Sequence, residues 1–178
     1  MVSITAQIRK MYARYSEYQH LLIILFSLYL ILTSSWILMG RSLRSNASLW
    51  DMTHVYLGLL TTLLACLFLL ANCIRGKWQQ YFPWLQGDIT QLVRDCKGVF
   101  KGNLPVSGGR GLFSCVEGLG MLLLVGVGLT GSLWFVLQGS SDALFWRNYH
   151  IIFAKGFIGF IAIHILFACL HLLDFIRN

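Results

Sequence analysis

The sequence predicts an all-α fold: a polytopic membrane four-helix bundle with an amphipathic interfacial helix in its inner loop. Three observations carry this. Hydrophobic residues make up 57% of the 178 residues and charged residues only 12%, about half the charged share of an ordinary soluble domain. The apolar residues gather in four blocks, roughly 21–40, 52–73, 115–139 and 149–175, each as long as the ~20 residues of helix that cross a bilayer core. Most of the remaining charge lies outside the blocks and is unevenly shared. A single membrane domain over 1–178 is expected, with one long loop, 75–114, between the second and third spans.

The charge sets a direction. Arg9, Lys10 and Arg14 precede the first span, Arg75, Lys77, Arg94, Lys97, Lys101 and Arg110 lie in the long loop, and Arg177 follows the fourth span. The other side holds only Arg41, Arg44 and Arg147. Basic residues flanking spans favour the cytoplasmic side. Both termini and the long loop are therefore expected in the cytoplasm, and the chain in a bacterial inner membrane. This also accounts for the net charge of +7 without nucleic acid as a partner. Trp36, Trp50, Trp134 and Trp146 gather at the outer ends, with Trp78 and Trp84 at the inner side, as interfacial belts would. The first block is too long for a cleaved signal peptide, and no A-x-A site closes it.

The five cysteines form no CxxC, CxxCH or paired zinc spacing. Cys66, Cys73 and Cys169 fall inside spans, where cysteine packs as a small apolar residue.

Within the long loop, "GDITQLVRDCKGVF" carries a helical pattern. Asp88 is a candidate cap with Gln91 three residues on. Ile89, Leu92, Val93, Cys96 and Phe100 recur on one face, with Arg94, Lys97 and Lys101 elsewhere. That arrangement suits a helix lying on the cytoplasmic leaflet, or a docking surface for another cytoplasmic or membrane subunit. "NLPVSGGRG" then turns the chain into the third span. At the N-terminus, "AQIRKMYARYSEYQH" extends the first helix into the headgroup region.

The histidines carry the strongest signal. None of the five lies in a hydrophilic loop: His20 opens the first span, His54 the second, and His150, His164 and His171 lie on the fourth. Ionisable groups inside membrane spans mark function. Spans alternate in direction, so His54 and His150 fall at the outer level and His20 and His164 at the inner one. Fourteen residues separate His150 from His164, about 21 Å along a helix. At 100° per residue their directions differ by only about 40°. Small residues follow on the same face: Gly58, Ala154 and Ala168 each stand four residues after a histidine, Ser27 and Ser34 continue the stripe of His20, and Thr61 and Ala65 that of His54. A flat macrocycle needs such room, although small residues also serve close helix packing. Two imidazoles per level on opposing helices suit a haem iron held from both faces. Zinc and copper use nitrogen ligands too, but usually recruit three or four.

At these residues the chain resembles the bacterial cytochrome b561 family, four-helix di-haem b cytochromes that include the cytochrome b subunits of nickel hydrogenases and formate dehydrogenases. The resemblance spans roughly residues 15–175. It rests on His20, on "MTHVYLG" opening the second span, and on "HIIFAKGFIGFIAIH" with its 14-residue histidine gap in the fourth. Lys155 also matches members of the family. The resemblance implies two haem b groups, the outer held by His54 and His150 and the inner by His20 and His164. It further implies electron transfer between a periplasmic-side redox subunit and the quinone pool.

The inner loop is longer than in the compact, free-standing members of the family, and His171 is an additional histidine. His171 could bond a haem propionate, line a quinone site, or simply meet water at the interface. Lys155 could neutralise a propionate of the outer haem or snorkel outward. Two other readings remain open: a self-sufficient oxidoreductase such as a superoxide:quinone enzyme, and a proton-coupled transporter without haem. The scarcity of acids in the spans, with only Glu117 and Asp174 near their ends, weighs against the transporter.

Overall fold

The computed structural model describes residues 4–74, 78–105 and 109–177, with side chains from Tyr18 onward other than Asp174. Arg75, Lys77 and part of the "NLPVSGGRG" turn lie outside the described residues, and Arg9, Lys10 and Arg14 are described as backbone only. Six α-helices occur in the described residues: α1 (Ile4–Thr33), α2 (Leu49–Asn72), α3 (Trp78–Tyr81), α4 (Thr90–Val99), α5 (Leu112–Val136) and α6 (Asp142–Arg177). There is no strand among these residues. Four helical stretches are long and apolar enough to cross a membrane: Tyr18–Trp36, Leu49–Asn72, Leu112–Val136 and Asp142–Arg177. The fold is thus the all-α, four-span membrane architecture that the apolar blocks predict.

Two span ends differ from expectation. The first helix stops at Thr33, followed by a 3-10 turn at Ser34–Trp36 and extended backbone at Ile37. Thr33 and Ser34 direct their hydroxyls back to the carbonyls of Tyr29 and Ile31 (both 2.7 Å), a local bond that competes with helix continuation. The fourth helix begins at Asp142, ahead of the apolar block, because the mixed segment "DALFWRNY" is helical too.

The chain forms two compact units, Met1–Phe68 with Gly128–His150, and Leu69–Val127 with Ile151–Asn178. In the first, α1 runs antiparallel to α2: Gln19 Nε2 donates to the Leu64 carbonyl (2.9 Å) and Tyr29 Oη to Thr53 Oγ1 (3.2 Å). Its core is Val55, Trp134 and Ala143, with Met39, Leu43, Leu59, Phe135 and Trp146 packed around them. Trp134 is therefore not a belt residue. It is buried, and its indole N–H donates to the Gly40 carbonyl (3.0 Å), the partner a buried indole needs. Trp36 and Trp50 remain exposed, with ring centroids 5.0 Å apart.

A capping box sets where α2 starts. Ser48 Oγ accepts from the Asp51 backbone N–H (3.1 Å), and Asp51 Oδ2 accepts from the Ser48 N–H (3.1 Å). The sequence "SLWD" has this S-x-x-D spacing. Asp51 is buried, and its other oxygen accepts from the Leu38 N–H (2.9 Å). One carboxylate thus pins both ends of the 38–48 connection, three residues before His54. We expect Asp51→Ala to lower stability by about 3 kcal/mol, since hydrogen bonds to a charged group are worth more than neutral ones. A depressed thermal midpoint of the purified protein is the readout, with Ser48→Ala lowering it less.

In the second unit the expected cap of α4 is absent. No side chain caps the helix at Ile89. Asp88 Oδ2 instead pairs with Arg110 (2.8 Å), and Gln91 Oε1 accepts the Arg110 backbone N–H (2.9 Å). Both residues brace the chain entering α5. Arg110 also donates to Gln79 Oε1 (3.1 Å). The Arg110 guanidinium and the Thr90 amide hold the Asp88 carboxyl below its ordinary pKa.

Candidate redox centre

His54 sits in the second turn of α2, and His150 lies on α6 within the same unit. Their ring centroids are 6.1 Å apart and their planes nearly perpendicular, at 83°. Glycine makes room for the second ring. A Cβ at Gly131 of α5 would lie 3.1 Å from His150 Nδ1 and 3.2 Å from Cε1. Beside His54, a Cβ at Gly58 would meet nothing within 4 Å, so the space expected at that position is present.

Two buried polar atoms in this unit have no hydrogen-bond partner among the described residues, His54 Nδ1 and Ser27 Oγ. Other hydroxyls of the first two spans behave differently. Thr33, Thr61 and Thr62 each donate to a carbonyl one turn back, at 2.7–2.8 Å. Buried polar groups left unpaired usually await a water, an ion or another group.

His20 lies in the first unit, its ring stacked on Phe68 with centroids 5.6 Å apart and planes 9° apart. His164 and His171 lie in the second unit around one aromatic ring. Phe113 stacks on His164 (5.9 Å, 19°) and meets His171 edge-on (5.3 Å, 85°). Phe160 adds a tilted contact to His164 at 5.3 Å. His171 Nε2 is buried and has no hydrogen-bond partner among the described residues. Lys155 is exposed on α6. The structure therefore brings His54 to His150, and His164 and His171 to a shared phenylalanine. Among the described residues no group of three or more His, Cys, Asp or Glu forms a metal cluster, and all five cysteines are free.

A family model described as prokaryotic cytochrome b561 matches residues 12–174, nearly the whole chain and all four spans. The chain belongs to the prokaryotic cytochrome b561 family. It is accordingly a multi-pass prokaryotic membrane cytochrome that binds b-type haem and carries electrons. No curated protein and no solved structure matches it.

His54 and His150 of this cytochrome fit a haem that would be held between them. Two metal–imidazole bonds of about 2 Å each, with the ring radii beyond them, span about the separation seen between His54 and His150. A pair of neutral nitrogen donors suits iron that keeps its other ligands from a macrocycle. The unpaired His54 Nδ1, the gap beside Gly58 and the glycine behind His150 agree with this. Sequence reasoning missed Gly131, Phe113 and Asp51. For Gly131 and Asp51 the signal was present, in the glycine-rich "GVGLTG" of the third span and in the S-x-x-D of "SLWD". Nothing in the sequence marked Phe113.

Proposed function

We propose that this cytochrome holds two b haems, one between His54 and His150 and one between His20 and His164. It passes electrons between a periplasmic-side redox subunit and the quinone pool, as a subunit of a larger respiratory or redox complex. The observation that carries the reading is the perpendicular His54–His150 pair, set 6.1 Å apart with space beside it. The inner pairing rests on register, because His20 and His164 fall at the same depth when the spans alternate.

Bound haem supplies one-electron redox chemistry at each level. The chain's residues do the rest. The four imidazoles would hold the two irons, and filling the iron's ligand positions with protein nitrogens would favour electron transfer over oxygen binding. The surrounding apolar side chains and bilayer lower the local dielectric and so tune the potentials. Lys155, five residues after His150, offers a cation for a propionate of the outer haem. His171 offers its buried Nε2 to a quinone oxygen near the inner level. The excess of basic residues beside the long loop and the termini supports their cytoplasmic placement.

The reduced-minus-oxidised visible spectrum of the purified protein, with pyridine haemochrome quantification, tests this. Two b haems per chain are expected. One haem would overturn the assignment of one level, and none in folded protein would overturn the reading.

A further inference from the structure

Helix α4 is turned the opposite way to an ordinary surface helix. An amphipathic helix on a globular protein buries its apolar stripe and leaves its polar face in water. Here the polar side is buried. Asp95 is only 7% exposed, and its Oδ2 accepts from the backbone N–H of Leu112 (2.9 Å), the first residue of α5. Gln91, on the same side of α4, accepts the Arg110 N–H (2.9 Å). The chain between them approaches so closely that a side chain at Gly111 would collide with the Asp95 carboxylate.

At about 100° per residue, Ile89, Val93 and Phe100 lie roughly opposite Gln91 and Asp95. They are left bare, at 44%, 40% and 91% exposure. Trp84 and Leu85, just before the helix, are exposed as well. Between the bare face and the braced face lies a basic flank of Arg94 and Lys97, continued by Lys101 in the following turn, all exposed. The roll of the helix is thus fixed by polar bonds to the entrance of a membrane span. Its apolar side is left uncovered, with cations beside it.

We infer that α4 and the turn before it seat the Trp84–Leu85–Ile89–Val93–Phe100 face in the membrane leaflet, and that Arg94, Lys97 and Lys101 select anionic phospholipid headgroups. The occupant follows from the tether and the charge. A helix whose polar side is bonded to the first residue of a span has its apolar side free to meet acyl chains, and a basic flank complements phosphodiester headgroups. This goes beyond the electron-transfer reading and does not depend on it.

The test is backbone amide exchange over Thr90–Val99 in the full chain, reconstituted into phosphatidylcholine nanodiscs with or without phosphatidylglycerol. The anionic lipid is expected to slow exchange of this segment about tenfold, an effect that salt reverses. The combined Arg94→Gln, Lys97→Gln and Lys101→Gln variant should lose the difference between the two lipids while its haem spectrum stays unchanged. A Val93→Asp variant should exchange faster in both. Exchange indifferent to lipid charge would overturn the inference. So would protection that appears only when another membrane protein co-purifies, which would make the face a protein interface. Haem content measured on the same samples separates either result from a failure of the cytochrome reading.

Discussion

His54→Ala is expected to leave the cytochrome folded, with one of the two proposed haems gone and the other intact. His54 and His150 face each other within one compact unit, so removing either imidazole would take away half of the protein's hold on a haem between them and none of its hold on the other. The helix start is fixed independently by Ser48 and Asp51, which keeps α2 in place when the side chain is lost. Pyridine haemochrome quantification, paired with redox titration, reads the outcome as one remaining b haem with a single midpoint potential. His150→Ala should give the same product, because the two residues serve one site. Loss of both haems, or of neither, would refute the pairing. Gly131→Val offers a subtler version. It adds methyl groups where even a Cβ would already stand 3.1 Å from His150 Nδ1. That displaces the ring without deleting it, and the affinity for haem at this level should fall about ten- to a hundredfold, as when a ligand's supporting contacts are lost.

The parts of this molecule that were legible in the sequence share a physical cause. Spans are dictated by the bilayer, which demands long apolar runs whatever the tertiary detail, so the four helices could be read from composition alone. The meeting of His54 with His150 has the same root, because alternating spans convert sequence position into depth. What stayed hidden depends on which of several polar groups finds which partner. Asp88 and Gln91 have capping-box spacing, yet the guanidinium and the backbone N–H of Arg110 compete for the two side chains and win. The true box, Ser48 with Asp51, has the same spacing and no such competitor. Trp134 stands near a span end, as interfacial tryptophans do, but the Gly40 carbonyl gives its indole N–H a partner inside. The roll of α4 was not legible either. Periodicity shows that a helix has two faces, and only the bonds of Asp95 and Gln91 decide which one is buried.

The inner level is best examined by comparing two histidines of α6 that touch the same phenylalanine. Phe113 lies between His164, stacked on one side, and His171, met edge-on. The two stand seven residues apart, two helical turns, on nearly the same face. Either could be taken for the ligand from its surroundings. Span register separates them: the proposed pairing puts His164 at the depth of His20, and His171 stands about 10 Å further along the helix. His164→Ala is therefore expected to remove the inner haem and spare the outer one. His171→Ala should retain both haems and slow electron exchange with a quinone analogue about tenfold, the loss of roughly one hydrogen bond in the bound complex. Haem stoichiometry and quinol oxidation rate, measured on both variants, separate ligand from quinone contact. If His171→Ala loses the haem and His164→Ala keeps it, the ligand sits two turns further along α6, and the inner site must be redrawn around His171.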